Sequence, residues 1–291
     1  MNFTNYKRLM GKAYSGANGK KIAVEIDGKQ YMIKFPPSGR DKPTELSYTN
    51  SCFSEHIGST IFNMAGISAQ KTMLGTFDVN GKEKIVCACE DFTVDGSILY
   101  DFCSIKNTII DSEHEGAGTE LEDLLDTIEK QQFVNSEMLL EHFWNVFIID
   151  ALIGNFDRHN GNWGFLYQPS NDTSKIAPVY DCGSCLLPQA DEKIMRLILK
   201  NEDELNARIF HFPTSAIKFQ GKKINYYDFL TSMNDKDCTK ALERMISRIN
   251  MKEIEQFVDK EKYFTSIQKS FYKYYIHERY EKILVSAYHM I

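Results

Sequence analysis

The stretch IGNFDRHNGNWGF, residues 153–165, sets Asp157, Arg158, His159, Asn160 and Asn162 between an apolar run ending at Ile153 and a return to Trp163, Phe165 and Leu166. A surface loop is polar, but it rarely follows so apolar a run and turns back so soon to bulky side chains. Polar groups held between buried segments must be paired or put to use. The neighbourhood favours use. Asp157 and Asn162 stand in D-x-x-x-x-N spacing, and Asp181 follows in PVYDCGS with Gly183 two residues on.

Phosphoryl transfer from ATP needs a carboxylate to accept or orient the hydroxyl proton, and oxygen ligands for the Mg²⁺ that bridges the phosphates. An Asp with an Asn five later, and an Asp-x-Gly about twenty residues downstream, is the order of catalytic and metal loops in protein kinases. A lone Asp-x-Gly would carry no weight. The competing reading of Asp157 and Asn162 is a solvated turn that caps the helix ending near Gly154.

The first part of the chain supplies the other half of such a site. YSGANGKKIAV is a Gly-containing turn before a strand, where backbone N–H groups approach phosphate oxygens. It is neither a G-x-x-x-x-G-K-[ST] motif nor a full G-x-G-x-x-G. KIAVEIDGKQYMIKF reads as two alternating strands joined at Asp27-Gly28, and KTMLGTFDVNGKEKIVCACEDF as a second pair turning at Asn80-Gly81. Lys34 lies among apolar strand residues and needs a counter-charge or a route to water. Between the pairs, SYTNSCFSEHIGSTIFNMAGI reads as a helix with Phe53, Ile57, Ile61 and Met64 on one stripe, stopped near Gly66. Glu55 on that helix is the candidate partner of Lys34, although an ordinary exposed Glu fits the same pattern.

After Phe92 the character changes to helical periodicity in TELEDLLDTIEKQQ, NSEMLLEHFWNVFIIDALIGN, EKIMRLILKNEDELNARIF, DCTKALERMISRINM and the C-terminal KYFTSIQKSFYKYYIHERYEKILVSAYHM. The expected fold is therefore α+β and bilobal, a protein-kinase-like arrangement. A β-rich N-lobe with one helix spans residues 1–92, a mostly helical C-lobe spans 93–291, and a cleft lies between them. The aromatic residues Phe271, Tyr272, Tyr274 and Tyr275 are expected to pack the large lobe, and Trp163 and Phe165 to be core.

Composition narrows the classes further. The 291 residues carry a formal net charge of -6, so no general nucleic-acid partner is expected. No apolar run reaches about 18 residues, and no membrane span is expected. The N-terminus lacks a signal-peptide core, and seven cysteines, an odd number, fit reduced thiols in a cytoplasmic setting. Cys87-x-Cys89 and Cys182-x-x-Cys185 admit a four-thiolate zinc site or a redox pair, but strand alternation makes the first pair equally a core feature.

With these residues in view, the chain resembles the HipA-like serine/threonine kinases. The resemblance runs through SGANGKK, IKFP, SEHIGSTIFNMAGI, CEDF, IGNFDRHNGN and PVYDCGS, about residues 10 to 190. It implies ATP and Mg²⁺ as cofactors and a protein hydroxyl, the enzyme's own included, as acceptor. It also implies Asp157 as catalytic base, Asn162 and Asp181 as Mg²⁺ ligands, and Lys34 as phosphate anchor. Ser15, Gly16, Ala17 and Asn18 would cover the phosphates, and the backbone of Glu90 and Phe92 would hold adenine. Ser15 and Tyr14 become candidates for autophosphorylation. His159 would contact phosphate or orient Asp157, or else be structural; Arg158 would meet phosphate or pair with a local carboxylate.

The chain departs from the family at its start, where the phosphate turn begins within the first twenty residues. An antitoxin partner is therefore not expected. No A-P-E sequence follows Asp181, so control by a protein-kinase activation loop is not expected either. Two other functions fit the same residues. DRHNGN also matches the catalytic loop of phosphoinositide kinases, which makes a lipid kinase the alternative, and a nucleotide-binding scaffold without transfer is the third.

Overall fold

A computed structural model describes residues 1–14, 20–37, 48–109 and 116–291. In the N-terminal half, β1 (Lys7–Arg8), β2 (Lys21–Ile26), β3 (Lys29–Lys34), β4 (Thr72–Val79) and β5 (Lys82–Glu90) form an antiparallel sheet in the order β1-β2-β3-β5-β4. Both tight turns occur where Asp-Gly and Asn-Gly required them. Asp27 and Gly28 have φ of 50° and 75°, and Asn80 and Gly81 have 56° and 75°. Two successive left-handed residues match the right-handed twist of the flanking strands.

Strand alternation divides the sheet between two cores. Val86 and Ala88 of β5 join Val24, Ile33, Phe35 and Phe77 on one face. Cys87 and Cys89 point the other way, into the main core, with their sulfurs 3.9 Å apart. Against that second face lies α1 (Ser51–Met64). It is buried on nearly every side over Cys52–Ser59, because it also packs on helices of the C-terminal half. A helix apolar or small all round belongs in an interior, and Glu55 within it is 1% exposed.

The C-terminal half begins with β6 (Ile98–Asp101), α2 (Phe102–Ile109), α3 (Leu121–Lys130) and α4 (Ser136–Ile153). It continues through β7 (Gly164–Gln168) and β8 (Thr173–Ile176) to α5 (Glu192–Lys200), α6 (Glu202–Asn206), α7 (Tyr226–Ser232), α8 (Lys236–Arg248), α9 (Met251–Lys260) and α10 (Ser266–Arg279). Helix α4 is buried from Phe143 to Ile153 and is the spine of this half. Aromatic residues fill the space around it as expected: Phe271, Tyr272 and Tyr275 of α10 are fully buried, and Trp163 stacks on Phe102 at 3.8 Å.

Two details differ from the sequence expectation. Strands β6, β7 and β8 pair into a small antiparallel sheet inside the mostly helical half. The run expected as one helix over 192–210 breaks at Asn201, whose backbone is extended and whose side chain caps the next helix at Glu204. An Asn that accepts from an amide three residues on starts a helix better than it continues one.

Candidate active site

The residues of the loop after α4 are placed by the way that helix ends. Gly154 takes a left-handed φ of 61°, which turns the chain sharply where a Cβ would strike Pro213 and Arg279. Asp150, in the last turn of α4, then holds the loop from below. It accepts from Asn155 Nδ2 at 2.8 Å and from Arg158 through Nε at 3.0 Å and Nη2 at 3.2 Å. Arg158 is 5% exposed and also donates to the carbonyls of Asn162 at 3.1 Å and Tyr180 at 2.5 Å. One planar fork thus joins α4, the loop that follows it and the segment leading to Asp181. Of its two readings, Arg158 takes the local carboxylate.

That scaffold presents Asp157, His159 and Asn162 to a cleft of about 420 Å³ shared by the two halves. Lys21, Lys34, Glu55, Phe92, Asp181 and Ser184 line it as well. Lys34 Nζ donates to Glu55 Oε2 at 2.8 Å and to Asp181 Oδ1 at 2.9 Å. Burial alone would weaken the Lys34 ammonium, but Asp181 and Glu55 outweigh it and hold the proton well above the ordinary lysine value. Glu55 Oε1 is buried with no hydrogen-bond partner among the described residues. Gly183 keeps the approach open, since a Cβ there would stand 3.2 Å from Glu55 Oε2.

The two aspartates are tuned apart. The ammonium of Lys34, despite opposing burial, depresses Asp181 to about 2. Asp181 has a left-handed φ of 57°, a conformation that costs a non-glycine residue on the order of 1 kcal/mol and that recurs at functional sites. Asp157 is shifted upward, chiefly by burial and further by Asp181, with His159 and Ser184 opposing. Ser184 Oγ donates to Asp157 Oδ2 at 3.3 Å, and the Asp157 N–H is fixed on Asn155 Oδ1 at 3.1 Å. A carboxylate with raised proton affinity beside one kept ionised is the division expected of an acid–base group and a charge-binding group.

The oxygen donors suit a hard cation. Asn162 Nδ2 donates to the Asp157 carbonyl at 2.8 Å, which leaves its amide oxygen as the available end. Lys34 meets Oδ1 of Asp181, and among the described residues Oδ2 has no hydrogen-bond partner. An amide oxygen and a carboxylate oxygen in one cleft fit Mg²⁺, which takes few protein ligands and keeps others from water and phosphate. His159 is exposed, lines the cleft, and accepts from the Gly161 N–H through Nδ1 at 3.0 Å.

Two sequence assignments stand differently. Glu90 is not in the cleft wall: its N–H donates to the Lys71 carbonyl at 2.8 Å and its carbonyl accepts from Gln70 Nε2 at 3.0 Å. Phe92 does line the cleft, with its ring 5.8 Å from that of Tyr180. Ser15, Gly16, Ala17 and Asn18 lie outside the described residues.

Sequence reading passed over Asp91, which lies between these two. Its carboxylate accepts from Tyr14 at 2.7 Å and from Thr93 through N at 2.8 Å and Oγ1 at 2.6 Å, and it pairs with Lys12. Those bonds outweigh burial and lower its proton affinity, while burial and Asp91 together raise that of Tyr14. The segment ending at Tyr14 is thereby tied to the stretch that follows β5. A charged residue wedged between an apolar strand and Phe92 was the available signal.

Comparison with known proteins identifies the family and the fold. The family described as the HipA-like C-terminal domain matches residues 13–253. The serine/threonine-protein kinase CtkA of Helicobacter pylori is 48% identical over 277 residues, spanning 94% of this chain and 83% of that protein. The crystal structure of a Helicobacter pylori proinflammatory kinase CtkA matches with a TM-score of 0.93 at 45% identity, covering 100% of this chain and 98% of that one. HipA of Shewanella oneidensis MR-1, solved in a toxin–antitoxin complex with HipB and operator DNA, matches with a TM-score of 0.58 at 15% identity, covering 97% and 67%, and shares the fold. Matched over most of its length by one family, and across nearly all of it by a serine/threonine-protein kinase, the chain belongs to the HipA-like serine/threonine kinases.

Proposed function

We propose that the protein transfers the terminal phosphoryl group of ATP to a serine or threonine hydroxyl of a protein, with Asp157 as the base. The observation that carries this reading is the meeting of Lys34, Glu55 and Asp181 in the cleft that also contains Asp157 and Asn162.

In this reading Lys34 binds the nucleotide phosphates and Glu55 fixes the position of its ammonium. Asp157 accepts the hydroxyl proton as the acceptor oxygen attacks, and its raised proton affinity suits that task. Ser184 and the Asn155 side chain hold Asp157 in place. Asp181 and Asn162 would hold Mg²⁺, which when bound neutralises phosphate charge. The Phe92 main chain is the candidate for the adenine edge, and His159 stands at the cleft for contact with phosphate or with Asp157. The sheet-rich residues 1–92 and the remainder to 291 act as the two lobes.

Incubation with Mg²⁺ and labelled ATP tests the proposal, with a generic protein acceptor in one arm and phosphoinositide vesicles in another. Label on protein serine or threonine, the enzyme's own included, is the expected result. Label confined to lipid would make the protein a lipid kinase, and nucleotide binding without any transfer would make it a scaffold.

A further inference from the structure

Counting back from the two-residue turn at Asp27–Gly28 pairs Lys21 directly with Lys34, and the structure shows that register. Residues directly opposite on antiparallel strands point to the same face of the sheet. Lys21 accordingly lines the same cleft as Lys34, Glu55 and Asp181.

Charge balance gives this placement a purpose. The Lys34 ammonium is shared by two carboxylates, Glu55 and Asp181, so that trio carries a net negative charge. Asp157 adds another in the same cleft. Among the described residues lining the cleft, Lys21 and Lys34 are the only lysines and no arginine joins them. A polyanion needs more positive charge than Lys34 can offer.

We propose that Lys21 is a second phosphate-binding cation, which acts with Lys34 on the nucleotide's phosphates. The inference rests on the kinase reading and adds to it a binding residue on β2. Burial and Lys34 weaken the Lys21 ammonium while Asp181 and Glu55 support it, as befits a cation held among the same charges.

Calorimetric titration of the full chain with Mg-ATP, Mg-ADP and adenosine separates the possibilities. Lys21→Met is expected to lower ATP and ADP affinity by about tenfold or more and to leave adenosine affinity unchanged. Lys21→Arg should restore most of the loss, and Lys82→Met, at the far turn of the sheet, should match wild type. Thermal unfolding of each variant checks that the fold survives. Lys21→Met binding ATP within twofold of wild type would overturn the inference alone, and so would an equal loss of adenosine or a failure of Lys21→Arg to restore affinity. Wild-type protein that binds no ATP would overturn the kinase reading and this inference with it.

Discussion

The ammonium of Lys34 lies 2.9 Å from the carboxylate of Asp181, although 147 residues separate them in the chain. One comes from the inner end of a strand and the other from a loop of the helical half, so their contact closes the cleft from both sides. Glu55 completes the contact from a helix whose whole middle is buried between the halves. The site is therefore part of the packing, and disturbing it has consequences for stability as well as for turnover.

Removal of Lys34 leaves the Glu55 carboxyl 1% exposed with its ammonium partner gone. Breaking a buried pair at one end costs about 3–5 kcal/mol. Lys34→Met is expected to be inactive and destabilised by an amount of that order in denaturant unfolding. Adding Glu55→Gln should recover much of the stability and none of the activity. Equal stability of Lys34→Met and wild type would mean that the pair contributes nothing to the fold.

Arg158 is expected to be the residue on which the catalytic loop's shape depends. Arg158→Lys keeps the charge but cannot reproduce the fork to Asp150 and the two carbonyls. Turnover should fall by about tenfold or more with nucleotide affinity less affected, and Arg158→Ala should cost about 3–5 kcal/mol of stability because the buried Asp150 loses its cationic partner. A Lys variant with wild-type turnover would contradict this positioning role.

The two aspartates give opposite pH signatures. Asp181, depressed to about 2 by Lys34, contributes stability that is fully present above the ordinary aspartate value of 3.8 and is lost as pH falls toward about 2. Asp181→Asn should lose that contribution. Asp157 is shifted upward, so its ionised form opposes folding at neutral pH, and Asp157→Asn should unfold at the same temperature as wild type or higher. Phosphoryl transfer should decline on the acid side at a pH above the ordinary aspartate range, because the base must be ionised. Thermal midpoints and initial rates measured across pH check all three.

Much of this is legible in the sequence, for physical reasons. Asp27-Gly28 and Asn80-Gly81 set both hairpins, since few dipeptides accept two left-handed residues in succession. Alternation in KIVCACEDF placed Cys87 and Cys89 on one face. The D-x-x-x-x-N spacing and the following Asp-x-Gly located one wall of the cleft, and Lys34 the other. Glu55 remained ambiguous because a helical wheel does not show what lies on each side, and α1 proved to be enclosed on nearly every side over Cys52–Ser59. Asp91 and the Arg158–Asp150 fork were not legible, since side-chain partners depend on tertiary placement. The sheet of β6, β7 and β8 escaped notice because its strands are only 4 to 5 residues long and lie among stronger helical signals. Lys21 was within reach, because the turn alone sets its register with Lys34.

The most direct measurement is mass spectrometry of wild type and Asp157→Asn after incubation with Mg²⁺, ATP and a protein acceptor. Wild type is expected to deposit phosphate on serine or threonine, and the folded variant to lose transfer by about 10²–10⁴-fold while still binding nucleotide. Undiminished phosphate transfer by the variant would contradict the assignment of Asp157 as the base, and with it the chemistry ascribed to the cleft.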